Sequence, residues 1–130
     1  MYKNITTNLM VESVDTSVNF YQEILGFEVV ASVPAKNQEL QFAILGKDSV
    51  TLMLQEKNNL GEEYPILATE KIQPSITLYI TIENFEDFYI AIKKSYPIYT
   101  ETHTTFYGSK EFAITDPDGY VLTFTEHTEE

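Results

Sequence analysis

One pattern of fifteen residues occurs twice in the chain and limits what the chain can fold into. The pattern is Phe112–Glu126, and its weaker copy is Phe42–Glu56. Aligned without a gap, the two segments share Phe-Ala-Ile at the start and Glu at the end, and Leu52 coincides with Leu122. Self-similarity of this kind is typical of two copies of one supersecondary unit. The sequence therefore predicts one domain made of two modules.

The first module is predicted to have the element order βαβββ. Apolar residues at helical spacing follow Ser13 or Asp15, either of which suits an N-cap, and Gly26 supplies the stop signal. Alternating or β-branched residues predict strands at 3–10, 27–33, 40–45 and 50–56. We place this module at residues 1–57.

The second module is predicted to repeat that order at residues 75–130. Asn84 caps a helix whose apolar stripe is Phe85, Phe88, Tyr89 and Ile92. Strands are predicted at 76–82, 97–100, 109–115 and 120–126, with a loop at 103–106. Residues 58–74 contain three Gly or Pro positions and few regular signals, which indicates a linker with room for a short helical turn. The fold class is α+β.

Composition narrows the choice of partners and compartment. The 130 residues carry a net charge of −12 and no arginine, so nucleic acid is a poor partner, whereas cations would be attracted. The acidity is also compatible with a role in solubility alone. Cysteine is absent, which excludes disulfides and thiolate ligands. We expect a cytoplasmic protein that does not bind membranes, because neither a leader-like start nor an apolar run of spanning length is present.

The Asp116-Pro117-Asp118-Gly119 sequence invites interpretation as a catalytic or metal-binding pair of carboxylates. A turn is the better interpretation, because proline presets φ at the second position and glycine accepts positive φ at the fourth. Aspartate at the start of a turn commonly bonds to its own backbone. We therefore expect this segment to be structural.

Period-2 alternation on the last strand of each module separates a helix-facing set from an opposite set. The helix-facing residues are predicted to be Leu52, Leu54, Leu122 and Phe124. The opposite set is Thr51, Met53 and Gln55 in the first module and Val121, Thr123 and Thr125 in the second. Such side chains suit a cavity lining, although an ordinary solvated sheet face has the same composition.

Aromatic residues outside the predicted elements are candidates for ligand stacking. Phe106 and Tyr107 precede the seventh strand, and Tyr64 lies in the linker. Exposed rings at the mouth of a cleft stack on planar ligands. Packing within the loop or against another subunit is the alternative interpretation.

The repeated module, the Phe20-Tyr21 pair followed by Leu25-Gly26-Phe27, and the closing Asp-Pro-Asp-Gly hairpin resemble the vicinal oxygen chelate superfamily. That group includes glyoxalase I, bleomycin-resistance proteins, fosfomycin-resistance transferases and extradiol dioxygenases. The resemblance implies curved mixed sheets around a cleft, completed in many members by dimerisation or exchange of modules. We therefore expect a homodimer.

Enzymes of the family hold a divalent metal with His and Glu from the first and last strands of the modules. The resemblance carries these positions onto Thr6, Met53, Ser75 and Thr123. Neutral hydroxyls and a thioether lack the charge and basicity such a site requires, so no metal or other cofactor is expected there. His103 and His127 are the remaining imidazoles, and we expect them to be solvated side chains.

The resemblance is closest to metal-free bleomycin-resistance-like members, which implies a binding protein that sequesters a cationic, planar antibiotic. The predicted ligand-binding residues are Thr6, Asn8, Thr51, Met53, Tyr64, Phe106, Tyr107 and Thr123. One alternative is a metal-dependent lyase, isomerase or dioxygenase with relocated ligands, such as His103 with Glu39 or Glu101. A structural or regulatory subunit with a vestigial cleft is the other.

Overall fold

The computed structural model of the protein describes residues 1–127, so the last three residues of the second predicted module lie outside this range. Contacts between Cα atoms divide the chain into two units, Met1–Gln73 and Pro74–Glu130. The first unit runs β1 (Thr7–Val11), α1 (Val14–Glu23), β2 (Glu28–Pro34), β3 (Leu40–Lys47) and β4 (Val50–Glu56). It ends with α2 (Lys57–Glu63) and a 3-10 helix at Pro65–Leu67.

The second unit repeats the order without the terminal helices. Its elements are β5 (Thr77–Thr81), α3 (Phe85–Ser95), β6 (Thr100–Thr104), β7 (Lys110–Thr115) and β8 (Val121–Glu126). This confirms the predicted α+β class and the two tandem βαβββ modules. No helix within residues 1–127 is both long and apolar enough to cross a membrane.

Each unit forms a four-stranded mixed sheet in which the last strand is central. The strand orders are β1-β4-β3-β2 and β5-β8-β7-β6. In both sheets the first strand pairs parallel with the last, and the remaining pairings are antiparallel. A parallel pair needs a long crossover, which the intervening helix and hairpin provide in each unit.

One face of each sheet is buried against its helix, as the alternation predicts. Leu52, Leu54, Leu122 and Phe124 are all at most 4% exposed, which confirms the predicted helix-facing set. In the second unit, Phe124 stacks on Phe112 with ring centroids 5.3 Å apart, and Phe85 meets Phe112 edge to face at 5.4 Å. The opposite face of each sheet, which carries residues such as Met53 and Thr123, is called the open face below.

The closing hairpin confirms the structural interpretation of Asp116-Pro117-Asp118-Gly119. The Asp116 carboxylate is buried, and its Oδ1 accepts hydrogen bonds from the backbone N–H groups of Asp118 and Tyr120, each at 2.9 Å. Gly119 has φ +92° and donates to the Asp116 carbonyl at 3.0 Å. The side chain therefore satisfies backbone donors that the tight turn leaves without carbonyl partners.

One predicted strand differs from the structure, and the predicted linker contains the short helix for which it had room. The strand predicted at 97–100 is wrong, because β6 begins at Thr100 and includes His103 and Thr104, for which the sequence predicts a loop. Proline at position 97 cannot donate to a ladder, whereas the alternating β-branched threonines that follow suit a strand. After β4, the Glu56 carboxylate caps α2 by accepting from the backbone N–H groups of Asn58 and Asn59, so helix continues into the predicted linker.

Replacing Asp116 with alanine should destabilise the protein by about 2–4 kcal/mol, because two backbone N–H groups would lose their acceptor in a buried turn. Urea unfolding followed by circular dichroism measures the change. The matched variant Asp116→Asn keeps an oxygen at the accepting position and should lose less than half as much. Equal losses in both variants would show that the charge of Asp116, and not its acceptor geometry, stabilises the hairpin.

Candidate functional site

A buried carboxylate lies on the open face of the second sheet. Glu111 belongs to β7, and its Cα partners in the neighbouring strands are Thr125 of β8 and His103 of β6. The next residue, Phe112, packs in the aromatic core on the helix side. Because successive side chains of a strand point to opposite faces, Glu111 lies on the open face. Glu111 is only 7% exposed. A carboxylate at such a position has to be compensated by hydrogen bonds or by an opposite charge.

Two tyrosines supply hydrogen bonds to Glu111, and both use the same oxygen. The hydroxyl of Tyr79, on β5, donates to Glu111 Oε2 at 2.7 Å, and the hydroxyl of Tyr107 donates to the same atom at 2.6 Å. Tyr107 lies in the turn between β6 and β7, where Gly108 adopts φ +88°. The turn thus folds the Tyr107 phenol back onto a residue four positions later.

Both histidines of the chain lie near this carboxylate. His103 pairs with Glu111 across β6 and β7, and its Nδ1 is 3.0 Å from the backbone carbonyl of Glu101. His127 Nδ1 is 2.9 Å from the hydroxyl of Ser109, and its ring centroid is 6.4 Å from that of Tyr79. Both histidines are exposed, as predicted, and the structure adds that both lie near Glu111.

The surroundings favour the ionised form of Glu111. Burial is the largest single influence and raises the pKa of the carboxyl, but the hydrogen bonds from Tyr107 and Tyr79 and the nearby histidines together outweigh it. The net result is a pKa below the ordinary value, so Glu111 is ionised at neutral pH. The same contact raises the pKa of Tyr107 to about 12, chiefly because its hydroxyl donates to Glu111. The phenol thus remains a donor at any physiological pH.

Thr125 adds a polar atom that has no partner. Its side chain is 0% exposed, and Oγ1 forms no hydrogen bond with any atom of residues 1–127. Because Thr125 is the partner of Glu111 in the strand register, the two side chains leave the sheet on the same face. Buried polar groups in folded proteins nearly always have partners, so a group without one needs an explanation.

The corresponding face of the first sheet is different, because its buried polar group is fully bonded. Gln55 accepts from Asn8 Nδ2 at 2.9 Å and donates to Asn59 and Glu63 of α2 at 2.7 and 2.9 Å. The amide thus uses its oxygen and nitrogen within the first unit. This network ties α2 to the sheet and leaves Gln55 with no need of a ligand.

The residues predicted to bind ligand fall into two groups, one in each unit. The first-unit group is Thr6, Asn8, Thr51, Met53 and Tyr64, and the second-unit group is Phe106, Tyr107 and Thr123. Asn8 and Met53 are paired between β1 and β4, whereas Tyr64 follows α2 and is exposed. In the second unit, Tyr107 contacts Glu111, Phe106 packs on Tyr107 at 4.9 Å, and Thr123 pairs with Tyr79.

The residues at the family's metal positions do not fit a divalent metal. Thr6, Met53 and Thr123 lack charge, and Ser75 is exposed and precedes β5. Within residues 1–127, no three histidine, aspartate or glutamate side chains form a group that could hold a metal ion. The relocated pair of His103 and Glu101 is not assembled either, because the Glu101 carboxylate binds the Tyr89 hydroxyl and Lys93 instead.

Sequence reasoning missed Glu111, Tyr79 and Thr125 as a cluster. The signal was present in the predicted strands, since alternation places all three opposite the residues that face α3. A buried glutamate on a central strand is rare unless its carboxylate has hydrogen-bond or charge partners. What the sequence lacks is any indication that the Tyr107 loop would fold back to contact it.

The comparisons with known proteins agree with this architecture. Residues 5–124 match the model of the Glyoxalase/Bleomycin resistance protein/Dioxygenase superfamily. The chain belongs to this superfamily, as the match covers nearly its whole length. A search of curated proteins found no relative.

Several solved structures share the fold. A glyoxalase/bleomycin resistance protein/dioxygenase from Nocardioides has a TM-score of 0.81 at 16% identity, covering 99% of this chain and 86% of that one. A lactoylglutathione lyase from Agrobacterium tumefaciens gives 0.75 at 16% identity, with coverage of 95% and 92%. TioX from Micromonospora sp. ML1 gives 0.73 at 15% identity, with coverage of 98% and 100%. At these identities the likeness extends to the fold alone.

The contact with Glu111 should be visible in the titration of Tyr107. With ring-labelled tyrosine and Tyr107→Phe for assignment, NMR should show Tyr107 still about nine-tenths protonated at pH 11, when an ordinary tyrosine of pKa about 10 is mostly ionised. Glu111→Gln should return the Tyr107 pKa toward that ordinary value.

The matched control is Glu101→Gln, which removes a carboxylate that binds a different tyrosine and should leave Tyr107 unchanged. Circular dichroism at each pH would define the range in which the fold persists. Ionisation of Tyr107 near pH 10 in the folded wild-type protein would contradict its hydrogen bond to Glu111.

Proposed function

We propose that this protein is a metal-independent binding protein that captures a small cationic, planar compound without a cofactor. The site is the open face of the second unit around Glu111, with the exposed rings of Phe106 and Tyr107 beside it. Capture requires no bond to be made or broken. A bleomycin-like antibiotic is one compound of this chemistry.

The observation that carries the proposal is Glu111, a buried and ionised carboxylate that pairs with no lysine among residues 1–127. The carboxylate is buried and ionised, yet the lysine–carboxylate pairs among residues 1–127 involve Glu12, Glu86 and Glu101, not Glu111. The two phenols hold the carboxylate in its ionised form without cancelling its negative charge. A ligand cation would be attracted to that charge, and the protein's net charge of −12 would assist its approach.

The neighbouring aromatic residues suit the planar part of such a ligand. Phe106 is fully exposed and Tyr107 about half exposed, and the two rings meet edge to face in the loop before β7. An exposed phenylalanine face offers stacking area and attraction for a cation. Thr123, next to Tyr79 in the sheet, extends the open face on the other side.

Calorimetric titration with bleomycin and a panel of planar cations tests the proposal. We expect saturable binding that weakens as salt is added, and an affinity roughly ten- to a hundredfold lower in Glu111→Gln, because a charged hydrogen-bonding partner is lost. Glu101→Gln removes an equal charge from the neighbouring strand β6 and should change the affinity little. Absence of heat with every compound, or equal binding by Glu111→Gln, would refute the proposal.

The homodimer implied by the resemblance remains a prediction. Sedimentation equilibrium of the untagged protein should give twice the mass of the 14.9 kDa chain. A species of single-chain mass at micromolar concentration would contradict it.

A further inference from the structure

We propose that His103 and His127 regulate the site at Glu111: the cationic ligand is captured when both imidazoles are neutral and released when both are protonated. This inference rests on the proposed function and adds a control of the same site by pH. Because imidazole ordinarily changes charge at about pH 6.5, the change from capture to release should fall between about pH 8 and pH 5.5.

Both histidines lie beside Glu111. His103 is the partner of Glu111 in the register of β6 and β7, and side chains paired in this way have Cβ atoms roughly 5 Å apart on one face of the sheet. His127 follows β8, and its Nδ1 lies 2.9 Å from the hydroxyl of Ser109, which precedes Glu111 by two residues. A positive charge on either ring would therefore compete with a ligand cation for the same carboxylate.

The other charged side chains of these strands belong to the opposite face. Glu101, Lys110 and Glu126 each contact a residue of α3. From β5 comes the phenol of Tyr79, and the exposed Glu83 follows two residues after the end of that strand. Phenols stay neutral and carboxylates stay ionised between about pH 5.5 and pH 8. The chain has no cysteine and no third histidine, so the two imidazoles are the side chains that change charge in this range.

The hydrogen bonds of both rings persist in both charge states. A backbone carbonyl only accepts, so Nδ1 of His103, 3.0 Å from the carbonyl of Glu101, keeps its proton throughout, and the second proton is added to Nε2. The hydroxyl of Ser109 donates to a neutral His127 ring and accepts from a charged one. Both histidines are exposed, so protons reach them from solvent. Titration thus changes the charge of the site without breaking a hydrogen bond.

Release of this kind differs from protonation of the carboxylate itself. The surroundings hold the pKa of Glu111 below its ordinary value, so the carboxylate keeps its negative charge when the imidazoles take up protons. Two positive rings then flank one negative group. The immediate surroundings of the site become net positive, although the chain as a whole remains strongly acidic.

The test uses N-methylacridinium, a planar cation whose own charge is independent of pH in this range. Calorimetry with the full chain should give an affinity at least roughly tenfold higher at pH 8 than at pH 5.5, because each nearby positive charge weakens binding about threefold to tenfold. By linkage, binding should release protons at about pH 6.5, so the measured heat should depend on the ionisation enthalpy of the buffer. Circular dichroism at both pH values distinguishes release from unfolding.

The double variant His103→Gln, His127→Gln removes both titrating rings and keeps polar side chains. It should bind the probe with about the same affinity at the two pH values and release no protons. Lys110→Gln, the matched control, removes a positive charge next to Glu111 in sequence but on the α3 side, and it should keep the full dependence on pH.

Equal affinity of the wild-type protein at the two pH values, or an unchanged pH dependence in the double variant, would overturn this inference and leave the proposed function intact. Failure of N-methylacridinium to bind at pH 8 would also overturn it. If no other compound of the wider panel bound at pH 8 either, the proposed function would fail with the inference.

Discussion

The central position of the last strand in each sheet governs the rest of the structure. β4 and β8 are hydrogen-bonded on both sides, so every side chain on them has only two possible environments. One set packs against the helix, where Phe124 stacks on Phe112. The other set must form the open face. A polar residue on these strands, such as Thr125, therefore has its place on the open face fixed by the ladder bonds on both sides.

The open faces of the two sheets differ in how their buried polar side chains are hydrogen-bonded, although the two units share one architecture. In the first unit, Gln55 is bonded through both its amide oxygen and its nitrogen, and the face is closed by its own contacts. In the second unit, Glu111 Oε1 and Thr125 Oγ1 have no hydrogen-bond partner among residues 1–127. The buried polar side chain of the first sheet thus has hydrogen-bond partners within its own unit, whereas the second sheet contains a buried hydroxyl for which residues 1–127 provide none. Such incomplete satisfaction concentrates at functional sites.

Much of the fold was predictable from the sequence because it depends on local periodicity. The repeat and the alternation around Leu122 identify the modules and the helix-facing residues, and Asp116 identifies the hairpin. The site was less predictable because Tyr107 reaches Glu111 through a turn whose conformation no periodic pattern encodes. The position of β6 was also hard to predict, because all of its residues are exposed and its threonines resemble a loop in composition.

The pairing of first and last strands has a consequence for how chains combine. β1 bonds to β4 and β5 bonds to β8, so within residues 1–127 each sheet is completed inside its own unit and no ladder joins strands on opposite sides of the connecting segment. Two copies of the chain that traded their second units would therefore break no sheet hydrogen bond. Such an exchange would require the connecting segment to be rerouted and would leave the ladders of both sheets unchanged, so strand pairing does not oppose domain swapping.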